Sequence, residues 1–368
     1  MDRPSTPAST LTSLPPNSRI LIIRLRSIGD IILLTPALRL LKEWRADLRV
    51  SVVVDSRFRG LLENNPDVDE VLEPGGGAGL RKLTARIGAL RTIRRRRFDL
   101  CMNLHGGPTS ATLTAWSGAP RKIGFEHFRR RALYDLLVPD ARTILNQATI
   151  HTAEHQASAF FYLGLPRTEI PRARIFVTSS ESQWWAGKRT ELDLPAGNNY
   201  AVIHPTALYA TKQWSPERFA ALGQYLDSER KLPVLYSCGP GEQTVLDAIA
   251  RAAGRQIRRL EGASLCQFAA ALAAARLFVG NDSGPAHMAA ALGRPGVILF
   301  GSSSSTIWGP WRPAAPWRTV QNYYDCNPCP GDRCYQFARP ECILSITDEQ
   351  VRSAVAAVLA GTFDAKGN

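Results

Sequence analysis

Residues of the kind that do chemistry sit at a few well-defined points. Asp282-Ser283-Gly284-Pro285 follows an apolar run and opens a helix-forming stretch, so a carboxylate and a hydroxyl meet the free N–H groups of a first helical turn. That arrangement suits a phosphate. The plain structural alternative is a helix cap at Asp282 or Ser283, with His287 as a core histidine. Neither GxGxxG nor GxxxxGKS/T is present in this turn, so nothing marks a dinucleotide or P-loop site. A second carboxylate, Asp30, stands at the mouth of a helix just beyond an apolar strand, where open parallel sheets place their ligands. It reads as a ligand-facing carboxylate or as an N-cap, and the two roles are compatible. His105-Gly106-Gly107 also ends a strand, and His105 there is either a ligand contact or part of a turn. Cys326-x2-Cys329 with Cys334 and Cys342 has the spacing of a small structural zinc site, with free thiols, iron–sulfur ligands and disulfides as open alternatives. His151, Glu154 and His155 have metal-like spacing too, but read as the polar face of a helix.

The elements that must position these residues alternate strand and helix. Ser18 to Leu25 is a nearly continuous apolar run, expected of a buried parallel strand. A helix over Ile31 to Trp44 and a strand over Leu48 to Asp55 follow. Strands are expected at Val68–Leu72, Phe98–Leu104 and Lys122–Phe125, with helices at Leu80–Arg95, Ser110–Trp116 and from a capping Asn146 to Leu163. Gly75-Gly76-Gly77 reads as a loop, and Arg172 to Pro195 as a polar linker. A new series begins with a strand at Tyr200–His204. It continues with a helix capped by Ser215, a strand at Leu232–Ser237, and a strand, turn, helix and strand from Phe278 to Phe300. Ser302 to Trp317 reads as a loop, and Thr347 to Leu359 as a final helix. The alternation indicates α/β domains with parallel, doubly wound sheets.

At 368 residues the chain is long enough for two cores. No apolar run approaches the roughly 20 residues of a membrane span. The first residues are Pro/Ser/Thr-rich and read as a loose tail rather than a signal peptide. Formal charge is +13, of which +9 falls on residues 1–170. A basic half of this kind attracts polyanions, phosphorylated substrates or anionic lipid. Arg94 to Arg97 reads as a solvated helix end, and Arg129-Arg130-Arg131 as the better place for an anionic partner.

Three strings carry a resemblance. They are Ile22 to Lys42 as IxRLxSIGDxxLxTPALRxLK, His204 to Phe219 as HPxxxxxxKxWxxExF, and Asp282 to Pro295 as DSGPxHxAAALGxP. Together they resemble glycosyltransferase family 9, the lipopolysaccharide heptosyltransferases, along nearly the whole chain. The resemblance implies a GT-B architecture, α/β with two Rossmann-like doubly wound domains facing a cleft. Residues 1–17 would be a tail, 18–175 an acceptor-binding domain and 176–346 a donor-binding domain with the Cys cluster, while 347–368 would form a helix and tail packed back on the junction. It further implies inverting transfer of a heptose from ADP-heptose to an anionic lipopolysaccharide core acceptor, with Asp30 as general base. Lys212, Asp282, Ser283, Gly284 and His287 would hold the diphosphate and Glu242 the ribose. Ala207 and Leu208 replace the small hydroxyl residues of some relatives, which leaves Thr206 or Thr211 for those contacts. His105, Arg129 and Arg130 are the expected acceptor contacts. None of the three matched strings carries an Asp-x-Asp metal clamp, so catalysis without a cofactor is expected, beside a structural zinc at most. The expected location is cytoplasmic, peripheral to the inner membrane, with no nucleic-acid partner. Another nucleotide sugar as donor, or a noncatalytic nucleotide-sugar or polyanion binder, are the competing readings.

Overall fold

Strands buried on both faces need unbroken apolar sequence, and Arg19–Ile23 (β1) provides it: Ile20 to Ile23 are fully buried. The computed structural model describes residues 7–76 and 79–361; residues 1–6 of the expected tail, Gly77 of the glycine turn and residues 362–368 lie outside the described residues. The chain forms two compact units, Met1–Phe176 and Val177–Asn368. The first contains β1, Ile28–Ile32 (α1), Thr35–Trp44 (α2), Arg49–Val53 (β2), Glu70–Leu72 (β3), Gly79–Arg95 (α3), Leu100–Asn103 (β4), Pro108–Trp116 (α4), Arg121–Phe125 (β5), Leu136–Val138 (β6), Ala141–Leu145 (α5) and Thr152–Tyr162 (α6). The second contains Ser179–Glu191 (α7), Ala201–His204 (β7), Pro216–Ser228 (α8), Val234–Ser237 (β8), Gln243–Ala253 (α9), Arg258–Leu260 (β9), Leu265–Ala273 (α10), Leu277–Asn281 (β10), Gly284–Ala291 (α11), Gly296–Phe300 (β11), Ser305–Trp308 (α12), Trp317–Gln321 (β12), Glu341–Leu344 (α13) and Asp348–Leu359 (α14).

Each unit is built on one six-stranded sheet, β3-β2-β1-β4-β5-β6 in the first and β12-β11-β10-β7-β8-β9 in the second. All pairings are parallel. Counted from its own first strand, each sheet has the order 3-2-1-4-5-6, which reverses direction between the first and fourth strands. The crevice opened by that reversal, at the carboxyl ends, is where doubly wound folds bind ligands. In the second unit Val351, Val355 and Val358 put one face of α14 on the core shared with α8, β11 and β12.

Local chemistry explains where the structure departs from the sequence reading. The first helix is two helices, because Pro36 has no N–H to give and its ring would clash with the Ile32 carbonyl in a continuous helix. Asn146 caps the end of α5 in a left-handed conformation rather than the start of α6. α6 starts instead with His151, whose Nδ1 accepts from Ala153 N (3.1 Å), while Glu154 accepts from His151 N (2.8 Å). Those two residues of the metal-like triplet thus form a capping box. The third, His155, stacks on Phe125 at 4.4 Å. The stretch read as a linker is mostly α7, capped by Thr178 and Glu181, with buried Trp185 against Tyr200. The tail is packed from Pro7 onward: Leu11 is fully buried and its N–H bonds Leu163 O at 2.9 Å. Edge strands β6, β9 and β12 went unread because an edge strand need not be a continuous apolar run.

Candidate functional site

In the first unit, β1 runs into Arg24-Leu25-Arg26-Ser27 and then α1, which places Asp30 in its first turn. One carboxylate oxygen, Oδ2, accepts from Ser27 N (3.0 Å) and Ser27 Oγ (3.1 Å). The other, Oδ1, accepts from Arg24 Nη2. Arg24 Nη1 donates to Leu104 O beyond β4, so this guanidinium bridges the crevice between the first and fourth strands. Gln156 Nε2 fixes the Asp30 carbonyl at 2.9 Å. Ser27, not Asp30, is therefore the N-cap of α1; Asp30 is the third residue of the helix, its carboxylate closing the capping box, and its side chain is 16% exposed.

Across the crevice, His105 is held by Asn103. This fully buried side chain accepts from His105 N (2.9 Å) and Gly106 N (3.1 Å) and donates to Thr114 Oγ1 and Tyr134 OH. Gly106 has φ +75°, and a Cβ there would meet the Phe128 ring at 2.4 Å. Burial, helped by Arg24 and Arg26, pushes His105 down to about 4, so the ring is neutral near pH 7. His105 lines a cavity of about 490 Å³ with Arg26, Arg57, Arg86 and Thr109. Arg130 lines a neighbouring one of about 160 Å³ that shares Arg86 and Thr109. Arg129 is exposed and lines neither. Sequence reasoning missed Arg26, Arg57 and Arg86, whose one available signal was position just after a strand for the first two.

In the second unit, Lys212 ends a short turn after β7 and meets Asp282 after β10, Nζ to Oδ2 at 2.7 Å. Here too the pair spans the first and fourth strands. Ser303 Oγ donates to the same Oδ2. Asp282 is only 6% exposed, so it serves as a fixed counter-charge that orients Lys212. Ser283 occupies the N-cap position of α11 but makes no capping bond, and its buried Oγ has no partner among the described residues. The capping alternative thus fails for the Ser283 side chain, and Asp282 is committed to Lys212. A helix start without a side-chain cap, a buried hydroxyl and an ammonium lie together. Gly284 begins α11, and His287 is buried in it.

The threonines expected to replace missing hydroxyls are engaged elsewhere. Thr206 is buried with Oγ1 on His204 Nε2 (3.0 Å), and His204 Nδ1 meets Ser237 Oγ (3.0 Å). Thr211 is buried, donating to Gly331 O and accepting from Ser302 Oγ. Ser303, within the serine run just past β11, is the hydroxyl at the Lys212–Asp282 pair that sequence reasoning missed. Glu242 precedes α9 with Oε2 accepting from Gly239 N at 2.7 Å, which fixes its loop.

Cys326, Cys329, Cys334 and Cys342 line one small cavity of about 70 Å³ and are free thiols. Burial and the other three sulfurs raise Cys342. Thiols are the right donors for zinc, yet among the described residues no three His, Cys, Asp or Glu converge as a metal-holding group. The Cys loop is tied to the segment that follows β11: Asn327 Nδ2 donates to Gly301 O (2.8 Å) and Cys329 N to Ser302 O (3.0 Å).

No helix among the described residues is long and apolar enough to cross a membrane. The chain is 27% identical over 295 residues to lipopolysaccharide heptosyltransferase 3 of Escherichia coli K12, an alignment that covers 77% of this chain and 82% of the relative. Its fold matches a family 9 glycosyltransferase from Veillonella parvula (TM-score 0.80, 22% identity, 96% of this chain and 99% of the other). It also matches the E. coli ADP-heptose lipopolysaccharide heptosyltransferase II (TM-score 0.75, 21% identity, 93% and 98%). The architecture is α/β of the GT-B kind. The family model for glycosyltransferase family 9 (heptosyltransferase) matches residues 86–336, and with two switch-point sites on two like sheets the chain is a transferase that belongs to that family.

Proposed function

We propose that this chain transfers a heptose from ADP-heptose to an anionic lipopolysaccharide core acceptor, with inversion at the anomeric carbon. The observation that carries the reading is the Lys212–Asp282 pair beside the uncapped start of α11. It offers a cation and helix N–H groups to a diphosphate. The relatives' names supply the donor and the acceptor class. In the reaction, Asp30 takes the proton of an acceptor hydroxyl as that oxygen attacks the anomeric carbon. The bond to the diphosphate breaks with its electron pair going to ADP, whose added charge Lys212 and the α11 N-terminus stabilise. Arg24 keeps Asp30 in place.

This chemistry asks nothing of a divalent cation, and a zinc on the four cysteines would only brace the loop under Thr211 and Ser302. The basic first half suits an anionic glycolipid at the inner membrane face. The test is calorimetric titration of the full chain with ADP, UDP and GDP in EDTA. Selective ADP binding supports the reading. Preference for UDP or GDP replaces the donor while keeping the family, and a strict need for magnesium contradicts the metal-free mechanism.

A further inference from the structure

The proposed reaction makes no use of the four cysteines of the second unit. They share one small cavity as free thiols, but among the described residues they do not converge as a metal-holding group. They are not alike. Cys342 is buried and Cys334 Sγ accepts from Phe337 N at 3.4 Å, whereas Cys326 and Cys329 are partly exposed and only Asn327 and Pro328 separate them. Cysteines at that spacing exchange with disulfides and can close into one. The same short link carries the anchors of the loop. Asn327 Nδ2 donates to Gly301 O (2.8 Å), Cys329 N donates to Ser302 O (3.0 Å), and Gly331 O accepts from Thr211 Oγ1. Each anchor ends within two residues of the Lys212–Asp282 pair or its support. Gly301 and Ser302 lead into Ser303, which holds Asp282, and Thr211 precedes Lys212. These segments have no slack between them, since Ser302 Oγ donates to Thr211 Oγ1 (3.2 Å) and a Cβ at Gly301 would meet Thr211 O at 2.3 Å.

We propose that Cys326 and Cys329 form a reversible thiol–disulfide pair, and that its oxidation weakens donor binding at Lys212 and Asp282. The oxidant is a small-molecule disulfide. One cysteine thiolate attacks a sulfur of that disulfide, forming a mixed disulfide and releasing one small thiol. The other cysteine then attacks the protein-side sulfur, which forms the bond between Cys326 and Cys329 and releases the second small thiol. The two protein protons leave on the two released thiols, and two electrons pass from the protein to the oxidant. The new bond holds the sulfurs about 2 Å apart, so closure moves Asn327 and Cys329 N and, through them, residues 301–303. The effect on ADP rests on the donor reading above, whereas the thiol pair does not.

The experiment treats the full chain with excess glutathione disulfide and follows peptide mass, ADP affinity by calorimetry, and amide hydrogen exchange over residues 301–303. Oxidised wild type is expected to lose two hydrogens, mapped to Cys326 and Cys329, to bind ADP about fivefold or more weakly, and to exchange faster over 301–303. Dithiothreitol should reverse all three. The Cys326→Ser/Cys329→Ser variant should bind ADP within about twofold of reduced wild type and keep that affinity after the same treatment. Cys238 and Cys266 remain in both proteins, so an equal loss in the double variant would place the effect at other thiols and overturn the proposal. It is overturned as well if no bond forms between Cys326 and Cys329, or if the bond forms and neither affinity nor exchange changes. One zinc or iron per chain in the untreated protein, lost in the double variant, would replace the thiol pair by a metal centre. If reduced wild type fails to bind ADP, the donor reading falls, and the disulfide with its faster exchange over 301–303 still decides the thiol pair.

Discussion

The two units share a strand order and a switch point, and at each switch point a basic side chain meets a carboxylate. The outcomes differ. After β1 and β4, Arg24 takes one oxygen of Asp30 and leaves the carboxylate 16% exposed. After β7 and β10, Lys212 and Ser303 converge on one oxygen of Asp282, which is 6% exposed. In the first unit the two partners are about equally exposed, Arg24 14% and Asp30 16%, and both Asp30 oxygens accept hydrogen bonds. In the second the carboxylate is the support and the cation faces outward. In the proposed reaction the same topology would put a base on one sheet and a leaving-group clamp on the other.

The sharpest way to break that comparison is to exchange the carboxylates' chemistry without their shape. Asp30→Asn is expected to lower kcat about 10³-fold or more, with ADP affinity within about twofold of wild type, measured by steady-state kinetics beside calorimetry. Asp282→Asn is expected to weaken ADP binding and loosen Lys212, with a smaller loss in kcat. If Asp282→Asn proved the more damaging to kcat, the roles assigned to the two sites would be reversed.

Lys212→Ala comes next in size. It removes the cation from the diphosphate, so kcat should fall about 10²- to 10³-fold and ADP affinity should drop as well. It also strands a nearly buried carboxylate with Ser303 alone, and Tm should fall. The Lys212→Ala/Asp282→Ala double variant is expected to recover part of that Tm but none of the ADP affinity. Recovery of affinity in the double variant would mean that Lys212 acts only as structural ballast for Asp282.

Each unit also pins its site with a fully buried asparagine at the end of its fourth strand. Asn103 makes four hydrogen bonds. Asn281 makes two, accepting from Trp214 N (3.2 Å) and donating to Pro205 O (2.7 Å). Replacing either by alanine orphans buried polar groups, at about 1–3 kcal/mol for each group left without water. Asn103→Ala should be the costlier by urea denaturation. Equal losses would indicate that water enters behind Asn103 and takes over its partners.

Much of this arrangement was legible in the sequence. β1, β10 and β11 are unbroken apolar runs, and Asp30 and Asp282 stand just beyond such runs at helix starts. What stayed hidden was whatever the sheet alone brings together. Arg26, Arg57 and Arg86 are far apart in sequence and line one cavity only because β1 and β2 end side by side and α3 packs beside them. Thr206 and Thr211 sit near Lys212 along the chain, but both hydroxyls turn into the protein, which spacing in a loop does not reveal. α7 was hidden by its composition, since a polar helix with one buried tryptophan lacks a clear apolar stripe.

The smallest effect concerns acid. His105 and His155 in the first unit are pushed down to about 4, and His204 in the second to about 3, in each case mainly by burial. An unfolded histidine takes up its proton near 6.5, so between that pH and about 3–4 the unfolded chain binds more protons than the folded one. The stability tied to these neutral rings is therefore fully present above pH 6.5 and is lost as pH falls, by at most about 1.4 kcal/mol per pH unit for each ring. His204→Gln keeps a donor and an acceptor between Ser237 and Thr206 but cannot titrate. It should cost some stability at pH 7 and then flatten the decline between pH 6.5 and 4, measured by denaturation at several pH values. Because His105 and His155 remain, the slope should shrink without vanishing. An unchanged slope would mean that His204 opens to water before it protonates, and that the second unit's crevice is looser at its base than the first unit's.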